Sequence, residues 1–105
     1  MIFSVGIFVY NEEQFNKICS LITNYVHCPP YNKLKGMAWF KLPLLEIAIL
    51  IGSSHARGYK FDILYYDEQI DETLLYEVLY SCCPCGRPQP LERLLNRLIW
   101  GKHYD

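Results

Sequence analysis

The hydrophobic residues of this chain fall into continuous apolar runs and into stripes at helical spacing. The first ten residues form an apolar run, and most of them are β-branched or aromatic, which favours a strand. Apolar side chains would occupy both faces of this strand, so we expect it to be central in a sheet and covered on both sides. Residues 37–42 and 44–51 predict two further strands, although Pro43 would also permit a short buried helix over 44–51.

A fourth strand is predicted over residues 59–66, where apolar and polar positions mostly alternate. Only the short segment 52–58 separates it from the strand over 44–51. The simplest topology therefore pairs these two strands in a hairpin, within a mostly antiparallel sheet of roughly four strands.

Three segments carry the apolar stripe of an amphipathic helix. The first begins after Asn11, which suits an N-cap with Gln14 as its capping-box partner, and it must end before Pro29. The second begins after Asp71, and the third starts at Pro90, a residue favoured in the first helical position. The three stripes are Phe15, Ile18, Cys19, Ile22, Tyr25 and Val26; Leu74, Leu75, Val78 and Leu79; and Leu91, Leu94, Leu95, Leu98 and Ile99.

The resulting order of elements, β-α-β-β-β-α-α, predicts an α+β fold with helices packed on at least one face of the sheet. We expect residues 1–105 to form a single domain, because no internal repeat or linker divides the chain. A chain of 105 residues can bury a core without disulfides or metal ions.

Composition and charge narrow the classes of function. The net charge of −1 argues against a strongly basic nucleic-acid binder. Nine tyrosines favour a surface that contacts a partner or a second copy of the chain. The amino terminus lacks the basic segment of a signal peptide, and no apolar run is long enough to span a bilayer. We therefore expect a cytoplasmic protein without membrane contacts, whose five cysteines are reduced.

A cluster of cysteines offers two chemical interpretations besides a structural one. Cys82 and Cys85 have the spacing of half a zinc site, and the candidates for the other half are His27 and Cys28, or His103 near the carboxyl end. A redox pair is disfavoured, because Cys82 would follow the carboxyl end of its helix, where the dipole opposes a thiolate. The favoured interpretation is a rigid turn in which Cys82 is a small buried hydrophobic residue. We accordingly predict no cofactor, with zinc as the alternative.

Two other groups of polar residues could carry chemistry. His55 and Arg57 share a glycine-flanked loop, where the histidine could act as general acid or base and the arginine could stabilise developing charge. Acidic residues at 67, 68, 71 and 72 could hold a divalent cation, but the run lacks the spacing of a calcium loop and is more typical of a solvated turn. No other catalytic motif is present, so we expect a protein that is not an enzyme.

Arginines near the carboxyl end form the strongest candidate for a binding surface. Arg93 and Arg97 lie four residues apart on the last predicted helix, where like charges repel slightly, and a negative partner would relieve that repulsion. The predicted partner-binding residues are Arg87, Arg93, Arg97, Trp100, Tyr59 and Tyr66.

The leading hypothesis from the sequence is thus a non-enzymatic protein-binding module, such as a small inhibitor or adaptor of the kind encoded by viruses and mobile elements. It would dock on a larger protein, and a homodimer is compatible with the same surface. Two alternatives stay open: an RNA-binding or ribonuclease-like domain that uses His55, Arg57 and the basic helix, and a structural zinc module.

Overall fold

The computed structural model describes residues 2–34, 36–52, 56, 58–84 and 86–100. Residues 99 and 100 are described by their backbone alone. The strands in this part of the chain are β1 (Phe3–Val9), β2 (Asn32–Leu34), β3 (Met37–Leu42), β4 (Leu45–Ile51), β5 (Ile63–Tyr66) and β6 (Gln89–Pro90). The helices are α1 (Glu12–Val26), α2 (Glu72–Glu77) and α3 (Leu91–Trp100), and a 3₁₀ helix (Leu79–Cys82) follows α2. This combination confirms the predicted α+β class.

The six strands form one mixed sheet in the order β2-β3-β4-β1-β5-β6. β1 pairs in parallel with β4 and with β5, and β5 pairs in parallel with β6. Among the strand pairs of the described residues, only β2–β3 and β3–β4 are antiparallel. The predicted count of four strands and the mostly antiparallel sheet are therefore wrong, whereas the central position of β1 is confirmed.

The predicted hairpin between residues 44–51 and 59–66 is also wrong. β4 is a strand, as expected, but β1 lies between it and β5. Residues 59–62 do not belong to β5, which begins only at Ile63. The reason is that β4 is buried on both faces and pairs along both edges, with β1 on one side and β3 on the other.

Helix α1 begins with hydrogen bonds close to those of the predicted capping box. The backbone N–H of Gln14 donates to Asn11 Oδ1 at 2.9 Å, and Gln14 Oε1 in return accepts from the backbone N–H of Tyr10 at 2.7 Å. The return bond thus reaches one residue further back than in the standard motif. At the other end, His27 adopts the left-handed conformation and its N–H donates to the Thr23 carbonyl, which ends the helix before Pro29.

The sheet separates two hydrophobic clusters, because successive side chains of a strand point to opposite faces. Ile7 and Val9 of β1 belong to the first cluster, together with the buried faces of α1 and α3. Phe8, between them, belongs to the second cluster, which includes buried residues of α2 and the 3₁₀ helix. Helices therefore cover both faces. None of the helices in the described ranges is both long and apolar enough to cross a membrane.

A glycine in the central strand permits one close contact in the second cluster. A β-carbon at Gly6 would lie only 2.5 Å from the ring of Phe61. Phe61 itself contacts Phe8 edge to face, with ring centroids 6.0 Å apart. Gly6 therefore allows the chain that leads into β5 to pack directly on β1.

Candidate functional site

Three arginines predicted from the sequence meet around one pocket. Arg87 lies in the turn before β6, whereas Arg93 and Arg97 project from α3, and all three line a cavity of about 370 Å³. The leucines at the buried positions of α3 hold the helix against the first cluster, so the arginines four residues apart remain exposed. We call this cavity the arginine pocket. Its remaining lining residues are Asp62, Ile63, Tyr65, Cys83, Gly86 and Gln89.

Side-chain hydrogen bonds connect the two elements that supply the arginines. Arg93 Nη1 donates to Gln89 Oε1 at 2.5 Å, and Gln89 Nε2 donates to the Arg87 carbonyl at 3.2 Å. Gln89 belongs to β6 and thus joins the turn before this strand to the first part of α3. These bonds restrict the conformations of the pocket wall before any ligand arrives, which reduces the entropy lost on binding.

The charge of the arginine pocket is predominantly positive. Asp62 is the only carboxylate among the described lining residues, and its Oδ2 accepts hydrogen bonds from the Ser4 N–H at 2.8 Å and the Ser4 hydroxyl at 3.2 Å. Arg93 donates to a neutral amide rather than to a carboxylate. Three guanidinium groups against one carboxylate give a pocket suited to a negatively charged group.

One wall of the arginine pocket is part of the edge of the sheet. β6 pairs with β5 only at Tyr65 and Tyr66, so the pairing does not extend to Ile63. Ile63 and Tyr65 line the pocket, and both also pack in the first cluster, where Tyr65 is buried and Ile63 partly buried. The pocket therefore combines a positive rim with a partly buried apolar wall beside the part of β5 that β6 does not cover.

The two tyrosines predicted to join the arginines lie elsewhere. Tyr59 and Tyr66 pack against the second cluster, on the face opposite to α3. Tyr59 donates its hydroxyl hydrogen to Met37 Sδ at 3.8 Å, and its ring stacks with that of Phe61. The tyrosine that does line the arginine pocket is Tyr65, which sequence reasoning missed together with Ile63 and Gln89. The parity of positions 65 and 66 could have revealed it only once the register of β5 was known.

The residues of the zinc interpretation are not brought together in the described part of the chain. Cys82 is fully buried in the second cluster, where its thiol donates to the carbonyls of Ala56 at 3.3 Å and Val78 at 3.4 Å. His27 and Cys28 follow α1, which packs on the opposite face. The described residues contain no group of three side chains that could hold a metal ion. Cys85 lies outside these residues.

Of the other candidate residues, His55, Arg57 and the side chain of Trp100 lie outside the described residues, whereas Asp67 of the acidic run lies within them. Asp67 is a buried carboxylate whose oxygens accept hydrogen bonds from Gln14 Nε2 and from the Gln69 N–H. It thus connects the residues that follow β5 to the first turn of α1.

Comparison of the chain with protein-family models, curated proteins and solved structures finds no significant match.

Proposed function

We propose that this protein is a non-enzymatic binding module that receives an acidic segment of a larger protein in the arginine pocket. The observation that carries the proposal is the convergence of Arg87, Arg93 and Arg97 on one cavity. These residues come from a turn and a helix that the chain brings together beside β5, so the cluster is a product of the fold.

Guanidinium groups suit this role because each can donate two parallel hydrogen bonds to one carboxylate. The apolar wall formed by Ile63 and Tyr65 would contact the aliphatic parts of the bound segment. A charged rim beside an apolar strand edge is typical of sites that bind an extended peptide. A site for duplex nucleic acid would need a broader basic face, whereas the whole chain has a net charge of −1.

The proposal can be tested with a fluorescently labelled peptide that carries three consecutive glutamates between valines. Fluorescence anisotropy would measure its affinity for the wild-type protein and for Arg93→Ala/Arg97→Ala. We expect the double substitution to weaken binding at least about tenfold, because charged hydrogen bonds are lost. Added salt should weaken binding to the wild type more than to the variant.

A matched control separates the pocket from the net charge. Lys17→Ala/Lys33→Ala removes the same charge from exposed positions outside the arginine pocket. Binding should then stay within about twofold of wild type, since these lysines do not contact the site. Equal weakening by both pairs would contradict the proposal. Arginine-dependent binding of a single-stranded RNA, with no binding of the peptide, would contradict it as well and favour the RNA alternative.

A further inference from the structure

A second surface of different character lies on the opposite side of the sheet. Tyr76 of α2 and Tyr80 of the 3₁₀ helix are stacked, with ring centroids 5.2 Å apart and an angle of 19° between the ring planes. Both rings are open to solvent, since Tyr76 is 63% and Tyr80 37% exposed. Exposed aromatic rings of this kind are enriched where proteins contact partners.

Tyr66 belongs to the same group of side chains. Burial raises the pKa of its phenol, and the neighbouring Tyr80, Glu68 and Tyr76 raise it further. Glu68, Tyr76 and Tyr80 are therefore neighbours of Tyr66. We call Tyr66, Glu68, Tyr76 and Tyr80 the tyrosine surface.

The exposed charges around the two rings are mostly negative. Glu68, Asp71, Glu72 and Glu77 are exposed on α2 or just before it, whereas Lys60, whose ammonium donates to the Ser81 carbonyl at 2.8 Å, is a cation beside Tyr80. Glu72 precedes Tyr76 by four residues on α2, which places it on the same side of the helix, and both are exposed. These four carboxylates outweigh the charge of Lys60, so the surroundings of the tyrosine surface are predominantly negative.

We propose that the tyrosine surface binds an arginine side chain from a basic segment of a partner protein. A guanidinium group can stack on a tyrosine ring, where the negative face of the π system attracts it. The acidic residues around the rings strengthen that attraction and steer a basic segment toward them. The exposed carboxylate of Glu68 would also attract such a cation.

This inference does not depend on the arginine pocket. The tyrosine surface packs on the second cluster and attracts positive charge, whereas the arginine pocket adjoins the first cluster and attracts negative charge. Loss of one binding activity therefore leaves the other testable.

The test uses the full chain and a peptide of alternating arginine and glycine, with binding followed by NMR chemical-shift changes. We expect the shifts to centre on Tyr66, Tyr76 and Tyr80. Tyr76→Leu/Tyr80→Leu, which keeps apolar side chains but removes the rings, should weaken binding about tenfold. Tyr76→Phe/Tyr80→Phe keeps the rings and should bind within about twofold of wild type.

A second readout reports on the local charge. A bound guanidinium should lower the pKa of Tyr66, so that its phenolate forms at lower pH in the presence of the arginine peptide. An alternating glutamate-glycine peptide should cause neither change. Equal binding by the leucine and phenylalanine variants, provided that both unfold like the wild type on heating, would overturn the proposal. Shift changes confined to residues outside the tyrosine surface would also overturn it.

Self-association is the remaining outcome to separate. If Arg93 and Arg97 of a second copy occupied the tyrosine surface, the mass in light scattering would exceed 12.4 kDa at high concentration. Arg93→Ala/Arg97→Ala would then restore the monomer mass. That result would replace the proposed partner by a second copy of this chain and would count against the inference.

Discussion

At the scale of single residues, the absence of a side chain at Gly6 determines how closely Phe61 approaches the central strand. A β-carbon there would lie 2.5, 2.7 and 2.8 Å from three atoms of the Phe61 ring. A β-carbon essentially never lies this close to a non-bonded carbon atom, so either the ring or β1 would have to move. The ring also contacts Phe8 and Tyr59, which limits that movement.

We predict that Gly6→Ala lowers the free energy of unfolding by about 1–3 kcal/mol, because overpacking forces the neighbouring side chains out of their preferred positions. Urea denaturation followed by circular dichroism would measure the change.

Gly86→Ala is the matched control for this substitution. Among the described residues, a β-carbon at position 86 would meet only Cys83 Sγ, at an ordinary 3.8 Å. Its effect should stay within about 0.5 kcal/mol. If the two variants were equally stable, the close contact between Gly6 and Phe61 would not determine the packing.

At the scale of elements, two similar helix starts differ in their hydrogen bonds. Asn11 caps α1 through a bond from the Gln14 N–H, whereas the side chain of Asp71 makes no such bond at the start of α2. We predict that Asn11→Ala lowers the free energy of unfolding by about 1 kcal/mol, because it leaves a helix N–H without its acceptor. Thermal or urea unfolding would measure the difference.

The corresponding Asp71→Ala variant should lose markedly less stability than Asn11→Ala. A loss as large as that of Asn11→Ala would show that Asp71 acts through a contact other than a cap bond.

The helices and strands differ in how well the sequence predicts them. The strand over Met37–Leu42 and the start of α1 were predicted correctly, since apolar pattern and capping residues are local signals. β2 and β6 were missed because they have only three and two residues. Such short strands exist through pairing with a neighbour, and no local pattern marks them.

The burial predicted for single side chains in the helical stripes was correct for one residue and wrong for another. Cys82 is buried, as its place in the helical stripe indicated. Tyr25 was predicted to face the core but is 46% exposed, because it lies in the last turn of α1. Tyrosine tolerates either position, since its ring is apolar and its hydroxyl is polar.

At the scale of the whole molecule, the reactivity of Cys19 reports on opening of the first cluster. Its thiol is buried against the sheet, and this burial raises its pKa although Lys33 acts in the opposite direction. We predict that iodoacetamide modifies Cys19 far more slowly than the half-exposed Cys28, because only the thiolate reacts and the folded state keeps the thiol protonated. Mass spectrometry of the alkylated peptides would measure both rates.

The same thiol contributes to the pH dependence of stability. Because its pKa is raised in the folded state, its contribution to the free energy of unfolding is fully present below the unfolded thiol pKa of about 8.5 and is lost as the pH rises above it.

Urea below the unfolding midpoint should accelerate alkylation of Cys19 but not of Cys28. Rapid alkylation of both in the native state would contradict the burial of Cys19.

The candidate site could be predicted only in part from the sequence. Arg93 and Arg97 share one side of a helix, so their proximity follows from helical spacing. Their meeting with Arg87, Ile63 and Tyr65 depends on the parallel pairing of β5 with β6. Whether Tyr65 or Tyr66 reaches the pocket depends on the register of β5, because a shift of one residue exchanges the faces.

The central position of β1 has a consequence for biosynthesis. Both of its partners, β4 and β5, come later in the chain, and the second is complete only at Tyr66. Ribosomes add roughly 5–20 residues per second, so this apolar segment waits for seconds before both of its edges are covered. During that interval its backbone can pair with the same segment of another nascent chain. Binding of a chaperone to residues 3–9 during translation would prevent that pairing.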